Sequence, residues 1–476
     1  MSKKNKEKER AASRQPSTIV ALATPPGVGA IAVIRLSGPQ AINIVNDVFP
    51  AKDLTQQASH TIHLGTIRDE RNQVLDEVLI SLFKTPTSYT RENVIEVSCH
   101  GSNYIIQSLI QLFLRKGART ANPGEFTMRA FLNGQMDLSQ AEAVADLIAS
   151  NSESSHTLAM SQMRGGFSDE IKNLRTQLID FASLIELELD FGEEDVEFAN
   201  RDDLKQLIFK IQRLLTNLID SFKLGNVLKN GVNTVIAGRP NAGKSTLLNA
   251  LLNEERAIVS DIAGTTRDTI EEVLNINGIT FRLIDTAGIR DAQDTIEAVG
   301  VEKTFEKIKS SSILVYVYDA AVMSVEEVRS DIAKLQTDDV PILVIGNKVD
   351  ALSELPPNPL KGELSSGQIF SNGHFLAVSA SLKEGVNLVK ENLHALVLSG
   401  NLSLDQTIVT NARHYDSLRK ADATLNTVLF GMDSGVTSDF IAMDIRQSLH
   451  HLGEITGEIS TDDLLGNIFS NFCIGK

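Results

Sequence analysis

The octapeptide Gly238-Arg239-Pro240-Asn241-Ala242-Gly243-Lys244-Ser245 fits the pattern GxxxxGK[ST] and lies between an apolar run, NTVIAG, and a segment of helical periodicity that starts at Lys244. That order asks for a buried strand, a glycine-rich turn whose backbone N–H groups converge, and a helix whose N-terminus completes an anion cradle. A unit of this kind belongs in a parallel sheet with helical crossovers, so it commits the surrounding chain to an α/β layer. The flanking sequence agrees: after the turn signal Asn230-Gly231, the runs TFRLID, SILVYVYD, PILVIG and HFLAVSA alternate with helical stretches.

The 476 residues are too many for that layer alone and predict about three domains at roughly 150 residues each. From Thr18 to Asp137 the runs IVALAT, GAIAVIRL, EVLISLF and NVIEVSCH, with one helix near Tyr104 to Lys116, read as an α+β domain of short strands. From Leu138 the period lengthens. Phe167, Ile171, Leu174, Leu178, Ile185 and Leu189 recur at helical spacing, as do Leu204, Leu207, Ile211, Leu214, Leu218 and Phe222. Helical periodicity returns after Gly400 and ends in DDLLGNIFSNF, where Leu464, Leu465, Ile468, Phe469 and Phe472 share a face and Ser460 with Asp463 predicts a capping box. The expected organisation is multidomain α/β and α: a disordered basic tail (1–17), an N-terminal α+β domain (18–137), a helical domain in two parts (138–230 and 400–476), and an inserted domain with a mostly parallel sheet (231–399).

Composition narrows the class. With 42% hydrophobic and 22% charged residues and no apolar run near the roughly 18 residues of a membrane span, the chain reads as an ordinary globular protein without membrane contact. Two cysteines, Cys99 and Cys473, argue against a disulfide framework and for a reducing compartment, read as the cytoplasm. The net charge of −16 means that any nucleic acid must meet a local basic patch or a partner.

The loop predicts a nucleotide site. Backbone N–H groups of Asn241, Ala242 and Gly243 cradle phosphate oxygens, Lys244 reaches the β and γ phosphates, Ser245 ligates Mg²⁺, and Thr246 completes the first turn of the helix behind them. Asn347-Lys348-Val349-Asp350 follows PILVIG; a carboxylate at Asp350 can accept from both N1–H and the N2 amino group of guanine, a donor pair that adenine lacks. Ser379-Ala380-Ser381 follows one strand later, where its backbone can meet guanine O6. Asp285-Thr286-Ala287-Gly288 supplies a strand-end carboxylate for a water-mediated Mg²⁺ contact and a glycine near the γ-phosphate. Together these motifs predict GTP binding and hydrolysis.

Two departures from the Ras-like layout bear on mechanism. Ile289 occupies the position of the water-orienting glutamine and can neither donate nor accept a hydrogen bond, which leaves Asp291, Asp294 and Glu297 as nearby acidic candidates. Asn241 inside the loop and carbonyls of the segment 260–268 around Gly264 can ring a monovalent cation, whose charge would stand where other GTPases place an arginine; Thr266 can close the Mg²⁺ shell.

With these motifs beside the N-terminal TPPGVGAIAVIRLSG, the segments IAGTTRD and FLNGQMDLSQAEAVADLI, and the terminal Cys473-Ile474-Gly475-Lys476, residues 18–476 resemble the tRNA-modification GTPase family called MnmE or TrmE, of the TrmE-Era-EngA type. The resemblance implies a potassium-stimulated GTPase whose G domains dimerise across their nucleotide faces. It implies a homodimer working with the flavoprotein MnmG, in a heterotetramer, to place a carboxymethylaminomethyl or aminomethyl group at C5 of the wobble uridine of certain tRNAs, the tRNA being met largely through the partner complex. It further implies that the N-terminal domain binds a tetrahydrofolate derivative, 5-formyl or methylene, as one-carbon donor. Carried over by motif, the K⁺ ligands are Asn241, Ser260, Ile262 and Thr265, the Mg²⁺ ligands Ser245 and Thr266, and the water-positioning acid Glu297. The folate contacts are Arg35 in VIRLSG, Glu96 in VIEVS, Gln135 in LNGQMDL and Lys476. Some relatives carry a basic residue where this chain has Gln135, which keeps hydrogen-bonding capacity and loses charge.

Arg35 and Glu96 also read as a cross-strand salt bridge. Cys473 stands just past the last helix, where a thiol can reach bound substrate; Cys99, beside His100, reads as a core thiol at a strand end. The rival to an enzyme of tRNA modification is a ribosome- or RNA-associated GTPase switch, and the basic GxxG-centred module such proteins append after the G domain is missing from this sequence.

Overall fold

The computed structural model of the protein describes residues 17–190, 201–252, 271–285, 308, 311–335, 340–356, 358–359, 373–398, 407–470 and 472–475. Its N-terminal elements are β1 (Ile19–Leu22), β2 (Gly29–Ser37), α1 (Ala41–Asn46), β3 (Thr61–Arg68), β4 (Val74–Phe83), β5 (Val94–Gly101), α2 (Asn103–Arg115), β6 (Arg119–Thr120) and α3 (Glu125–Leu132). Helices α4 (Leu138–Ala149), α5 (Glu153–Met163), α6 (Gly166–Asp190) and α7 (Arg201–Asn230) follow. Then come β7 (Val232–Ala237), α8 (Lys244–Leu252), β8 (Glu271–Ile276), β9 (Ile279–Asp285), β10 (Ile313–Asp319), α9 (Val325–Leu335), β11 (Ile342–Asn347), β12 (Gly373–Ala377) and α10 (Val386–Leu398). Three helices close the chain: α11 (Ala412–Asp433), α12 (Ser438–Thr456) and α13 (Asp462–Ser470). The mixture of α/β layers and long helices is the multidomain architecture the sequence predicts.

Two compact units result, one of Met1–Ala145, Gln162–Ala182 and Arg446–Lys476, the other of Asp146–Ser161 and Ser183–Ile445. In the first, a six-stranded sheet runs β3-β4-β5-β2-β1-β6. Alternation decides its faces: Ala32, Ile34 and Leu36 of β2 and Ile95, Val97 and Cys99 of β5 turn into a core with Ile106, Leu109, Leu112 and Phe113 of α2. The intervening residues pair on the other face, Val33 opposite Ser98 and Arg35 opposite Glu96. Helix α13 closes this unit by packing Leu465 and Phe469 against Leu138 and Ala141 of α4.

In the second unit the sheet order is β12-β11-β10-β7-β9-β8, parallel throughout except for the antiparallel edge β8. The two-residue turn Asn277-Gly278, with φ of +49° and +82°, joins β8 to β9, the geometry that an Asn-Gly pair supplies. Helices α7 and α11 run antiparallel, with Lys205 paired to Asp433 at 2.6 Å and Gln212 donating to Asn426 at 2.9 Å.

Three sequence expectations change. Strands β3, β6 and β8 were not anticipated: TIHLGTIR and EEVLNI carry too many polar and small residues to stand out as apolar runs, and β6 is two residues long. The buried stripe of α7 is Leu204, Ile208, Ile211, Leu215 and Leu218, whereas Leu214 is 42% exposed. Both stripes have heptad-like spacing, and the neighbour that the helix meets chooses between them. Finally, α13 is capped by Thr461, whose Oγ1 accepts from Leu464 N–H at 3.3 Å, in place of the predicted Ser460–Asp463 box. The helix begins at Asp462, so the hydroxyl one residue later is the one in register with the third helical N–H.

Candidate functional site

Strand β7 lies between β10 and β9, so its C-terminal end opens at the middle of the sheet, where ligands of parallel α/β folds sit. Gly238 follows with φ +152°, pressed so closely on the Val317 carbonyl that a side chain would overlap it. Asn241 adopts φ +64° and Gly243 φ +89°, which turns the loop back on itself before α8 begins at Lys244. Leu247, Leu248 and Leu251 bury this helix in the sheet's core, and Ser245 and Thr246 face solvent in its first turn. Lys244 is 9% exposed, and its ammonium donates to Gly238 O at 2.9 Å and Arg239 O at 3.1 Å. A buried cation and a helix N-terminus thus share one concave loop, an arrangement suited to polyphosphate.

The predicted base-reading residues meet this loop. Asn347, 2% exposed at the end of β11, donates from Nδ2 to Ala242 O at 2.9 Å and accepts at Oδ1 from Ala380 N–H at 3.0 Å. One amide therefore joins the phosphate loop to the segment 379–381. Lys348 takes φ +65° and pairs with Asp319 of β10 at 2.7 Å. Ser379 donates to Asp350 Oδ1 at 2.6 Å and sits 3.2 Å from the Ser381 hydroxyl. Asp285 ends β9 with its Cα opposite Ile236 of β7, next to the loop strand. Ser260, Ile262, Thr265, Thr266, Thr286, Ala287, Gly288 and the acidic candidates Asp291, Asp294 and Glu297 lie outside the described residues.

A second constellation occupies the N-terminal sheet. Arg35 donates from Nε to Glu96 Oε1 at 2.8 Å, with Nη2 also 2.8 Å from that oxygen, and its guanidinium lies 5.5 Å from the Tyr89 ring centroid and 5.7 Å from that of Phe126. The C-terminal tail comes to the same place. Cys473 O accepts from Gly124 N–H at 3.3 Å, and Gly475 O lies 3.5 Å from Arg35 Nη1, with Gly475 at φ +99° against Leu22. Cys473 is exposed. Lys476 lies outside the described residues, one position beyond the carbonyl that meets Arg35. Gln135 accepts from Arg91 Nε at 3.0 Å. Cys99 is buried, donates to Ala32 O at 3.5 Å, and burial with the nearby Asp76 pushes its thiol up to about 11. His100 turns outward to pair with Asp76 at 2.7 Å.

Sequence reasoning missed Tyr89 and Phe126 beneath Arg35, and Asp319 as the partner of Lys348. Tyr89 and Phe126 lie 54 and 91 positions from Arg35, and only the fold brings them under its guanidinium. Asp319 carried a signal, since it is a polar residue ending the apolar run of β10 as Asn347 ends that of β11.

Comparison with known proteins places these features in a family. Residues 18–135 match the family model described as GTP-binding protein TrmE N-terminus, and residues 138–473 match the MnmE helical domain. A protein of Cytophaga hutchinsonii named tRNA modification GTPase MnmE is 58% identical over 460 residues, 96% of this chain and 98% of that one. Proteins of the same name from Christiangramia forsetii and Bacteroides fragilis are 56% and 48% identical, each over 96% of this chain and 99% of their own length. A glycine-rich loop tied by Asn347 to the segment 379–381, and an N-terminal sheet holding the C-terminal tail against Arg35, are thus carried by a chain that belongs to the MnmE (TrmE) family of tRNA-modification GTPases.

Proposed function

We propose that this family member is a potassium-dependent GTPase that acts with the flavoprotein MnmG to add a carboxymethylaminomethyl or aminomethyl group at C5 of the wobble uridine of certain tRNAs. That it is a GTP hydrolase of tRNA modification follows from its family. The observation that supports the N-terminal, folate-binding part of this reading is the tail contact, in which Gly475 O lies 3.5 Å from Arg35 Nη1, beside the Arg35–Glu96 pair of the N-terminal sheet.

In this reading Lys244 exchanges its two loop carbonyls for β and γ phosphate oxygens, and the cost of leaving them is offset by charge-assisted bonds to phosphate. Asp350 reads the guanine edge. Ser245 and Thr266 would hold Mg²⁺, Asn241 with Ser260, Ile262 and Thr265 would hold K⁺, the two ions supplying positive charge to the phosphates, and Glu297 would orient the attacking water in the role that Ile289 cannot fill. A bound tetrahydrofolate derivative supplies the one-carbon unit. Arg35, Glu96, Gln135 and Lys476 bind and orient it, and Cys473, exposed beside that tail, is the thiol available to substrate. The protein works as a homodimer, and tRNA arrives largely through the complex with MnmG.

Mass spectrometry of wobble nucleosides in total tRNA from cells with and without the gene tests the proposal. Loss of the modified uridine supports it, and an unchanged profile transfers the weight to an RNA-associated switch. Replacing potassium by sodium is expected to slow GTP turnover strongly, and equal rates exclude the cation assignment.

A further inference from the structure

The phosphate loop has an anchor that neither the nucleotide motifs nor the family resemblance assigns. The Arg239 guanidinium is forked onto helix α9: Nε and Nη2 donate to the two oxygens of Asp331 at 2.7 and 3.3 Å, and Nη1 donates to Glu327 at 2.9 Å. Both carboxylates are themselves held. The Asp331 carboxylate accepts from the buried Tyr316 hydroxyl at 2.8 Å, and Glu327 closes the capping box of α9 by accepting from Ser324 N–H at 3.1 Å while Ser324 Oγ accepts from Glu327 N–H at 3.3 Å. Helix α9 is in turn fixed to the sheet by Val328 and Ile332, both fully buried. Burial works against the Asp331 charge, and the bonds from Arg239 and Tyr316 outweigh it, holding the carboxyl below its usual range.

The backbone of Arg239 is as engaged as its side chain. Its carbonyl receives the Lys244 ammonium, as does that of Gly238, wedged on Val317. Among the described residues, the cation that meets the phosphates is held by two loop carbonyls, one on a residue fixed by close backbone packing and the other on a residue whose side chain is clamped to α9. A loop pre-set in this way binds nucleotide without first ordering itself, and losing the clamp shifts that cost onto binding.

We propose that Asp331, with Glu327 and Tyr316 behind it, is a positioning residue for the nucleotide reaction, acting through Arg239 to hold the first turn of the phosphate loop in its binding geometry. The proposal rests on the GTPase reading and adds to it a site outside the nucleotide motifs. It also sets where the effect shows: in nucleotide dissociation and KM, with little change in the hydrolysis step once the site is filled.

The test uses the full chain with a fluorescent N-methylanthraniloyl-GDP probe and steady-state GTP turnover. Asp331→Asn is the informative variant, since an amide oxygen still accepts from Tyr316 and preserves the packing while the charge and half of the fork are lost. It is expected to raise both the probe dissociation rate and the GTP KM about 3- to 10-fold, with kcat within about 2-fold, on the scale of one bidentate ion pair in a partly exposed network. Asp331→Glu, which keeps the carboxylate, is expected to restore most of the affinity, and Arg239→Lys, which keeps charge and loses the fork, to behave as Asp331→Asn does. Dissociation and KM unchanged in Asp331→Asn overturn the proposal, as does a fall in kcat and melting temperature together without recovery in Asp331→Glu. Wild-type protein measured in parallel separates the two readings, because failure of the wild type to bind the probe or turn over GTP counts against the GTPase assignment itself.

Discussion

Gly243 lies so close beneath the Asn347 side chain that a β-carbon built on it would overlap the amide nitrogen that bonds Ala242 O. The absence of a side chain at one position thus permits the contact by which another joins two loops. Gly243→Ala is expected to lower nucleotide affinity at least about 10-fold, since φ +89° strains any L-residue by roughly 1–3 kcal/mol before the overlap is counted. Equilibrium binding of a fluorescent guanine nucleotide measures it, and wild-type affinity would show that the loop relaxes without the contact.

Asp350, proposed to read the guanine edge, accepts from the Ser379 hydroxyl at 2.6 Å. Asp350→Asn replaces two acceptors by one acceptor and one donor, which mismatches the N1–H and N2 amino group of guanine and matches the O2 carbonyl of xanthine. The GTP KM is expected to rise at least about 100-fold while xanthosine triphosphate becomes the better substrate, on the scale of two unpaired polar groups. Equal turnover of both nucleotides by the variant would remove Asp350 from base recognition.

The two thiols differ in environment. Cys99 is buried with its thiol pushed up to about 11, so at pH 8 only about one part in a thousand is thiolate, and Cys473 is exposed. Iodoacetamide applied to the folded protein at pH 8 is expected to alkylate Cys473 and leave Cys99 untouched until denaturant is added, as read by peptide mass spectrometry. Equal labelling of both in the native state would contradict the burial of Cys99.

Glu125 is 3% exposed and bonded to Arg119, to Asn122 N–H at 2.9 Å and to Arg129 at 2.9 Å. Burial alone would raise its carboxyl, and these donors reverse the sign, so the folded value lies below the ordinary 4.5. A depressed carboxyl contributes stability that is present above its unfolded pKa and is lost as pH falls through the folded one. Thermal unfolding of the N-terminal unit is therefore expected at falling temperature below about pH 4.5, with the acid-side slope reduced in Glu125→Gln. That variant is also expected to cost about 2–4 kcal/mol at neutral pH, because the buried Arg129 loses a charged partner. An unaltered acid limb would mean that other carboxylates govern it.

The candidate nucleotide site was proposed from the sequence because its motifs are local, and the structure brings the loop, Asn347 and the segment 379–381 together. Gly238, Gly243 and Lys244 stand in one turn, and Asn347, Lys348 and Asp350 in another, where strand-end position and residue type suggest the chemistry proposed for them. Strand β8 was not legible, since an antiparallel edge with polar residues lacks the apolar run that marks a buried parallel strand. Nor was the buried stripe of α7: Leu214 and Leu215 both belong to an acceptable heptad, and only the tertiary packing of the helix puts Leu215 inside.

What the sequence determined by itself, then, was which residue types stand together in each short motif and the α/β or helical character of the longer stretches, because those depend on neighbours a few residues apart. What the tertiary structure alone decided was which distant groups meet. Arg239 clamps onto Asp331 across 92 positions and Arg35 reaches Gly475 across 440. Contacts of that separation are set by strand order and by the path of the chain between elements, and no period or motif in the linear chain encodes them.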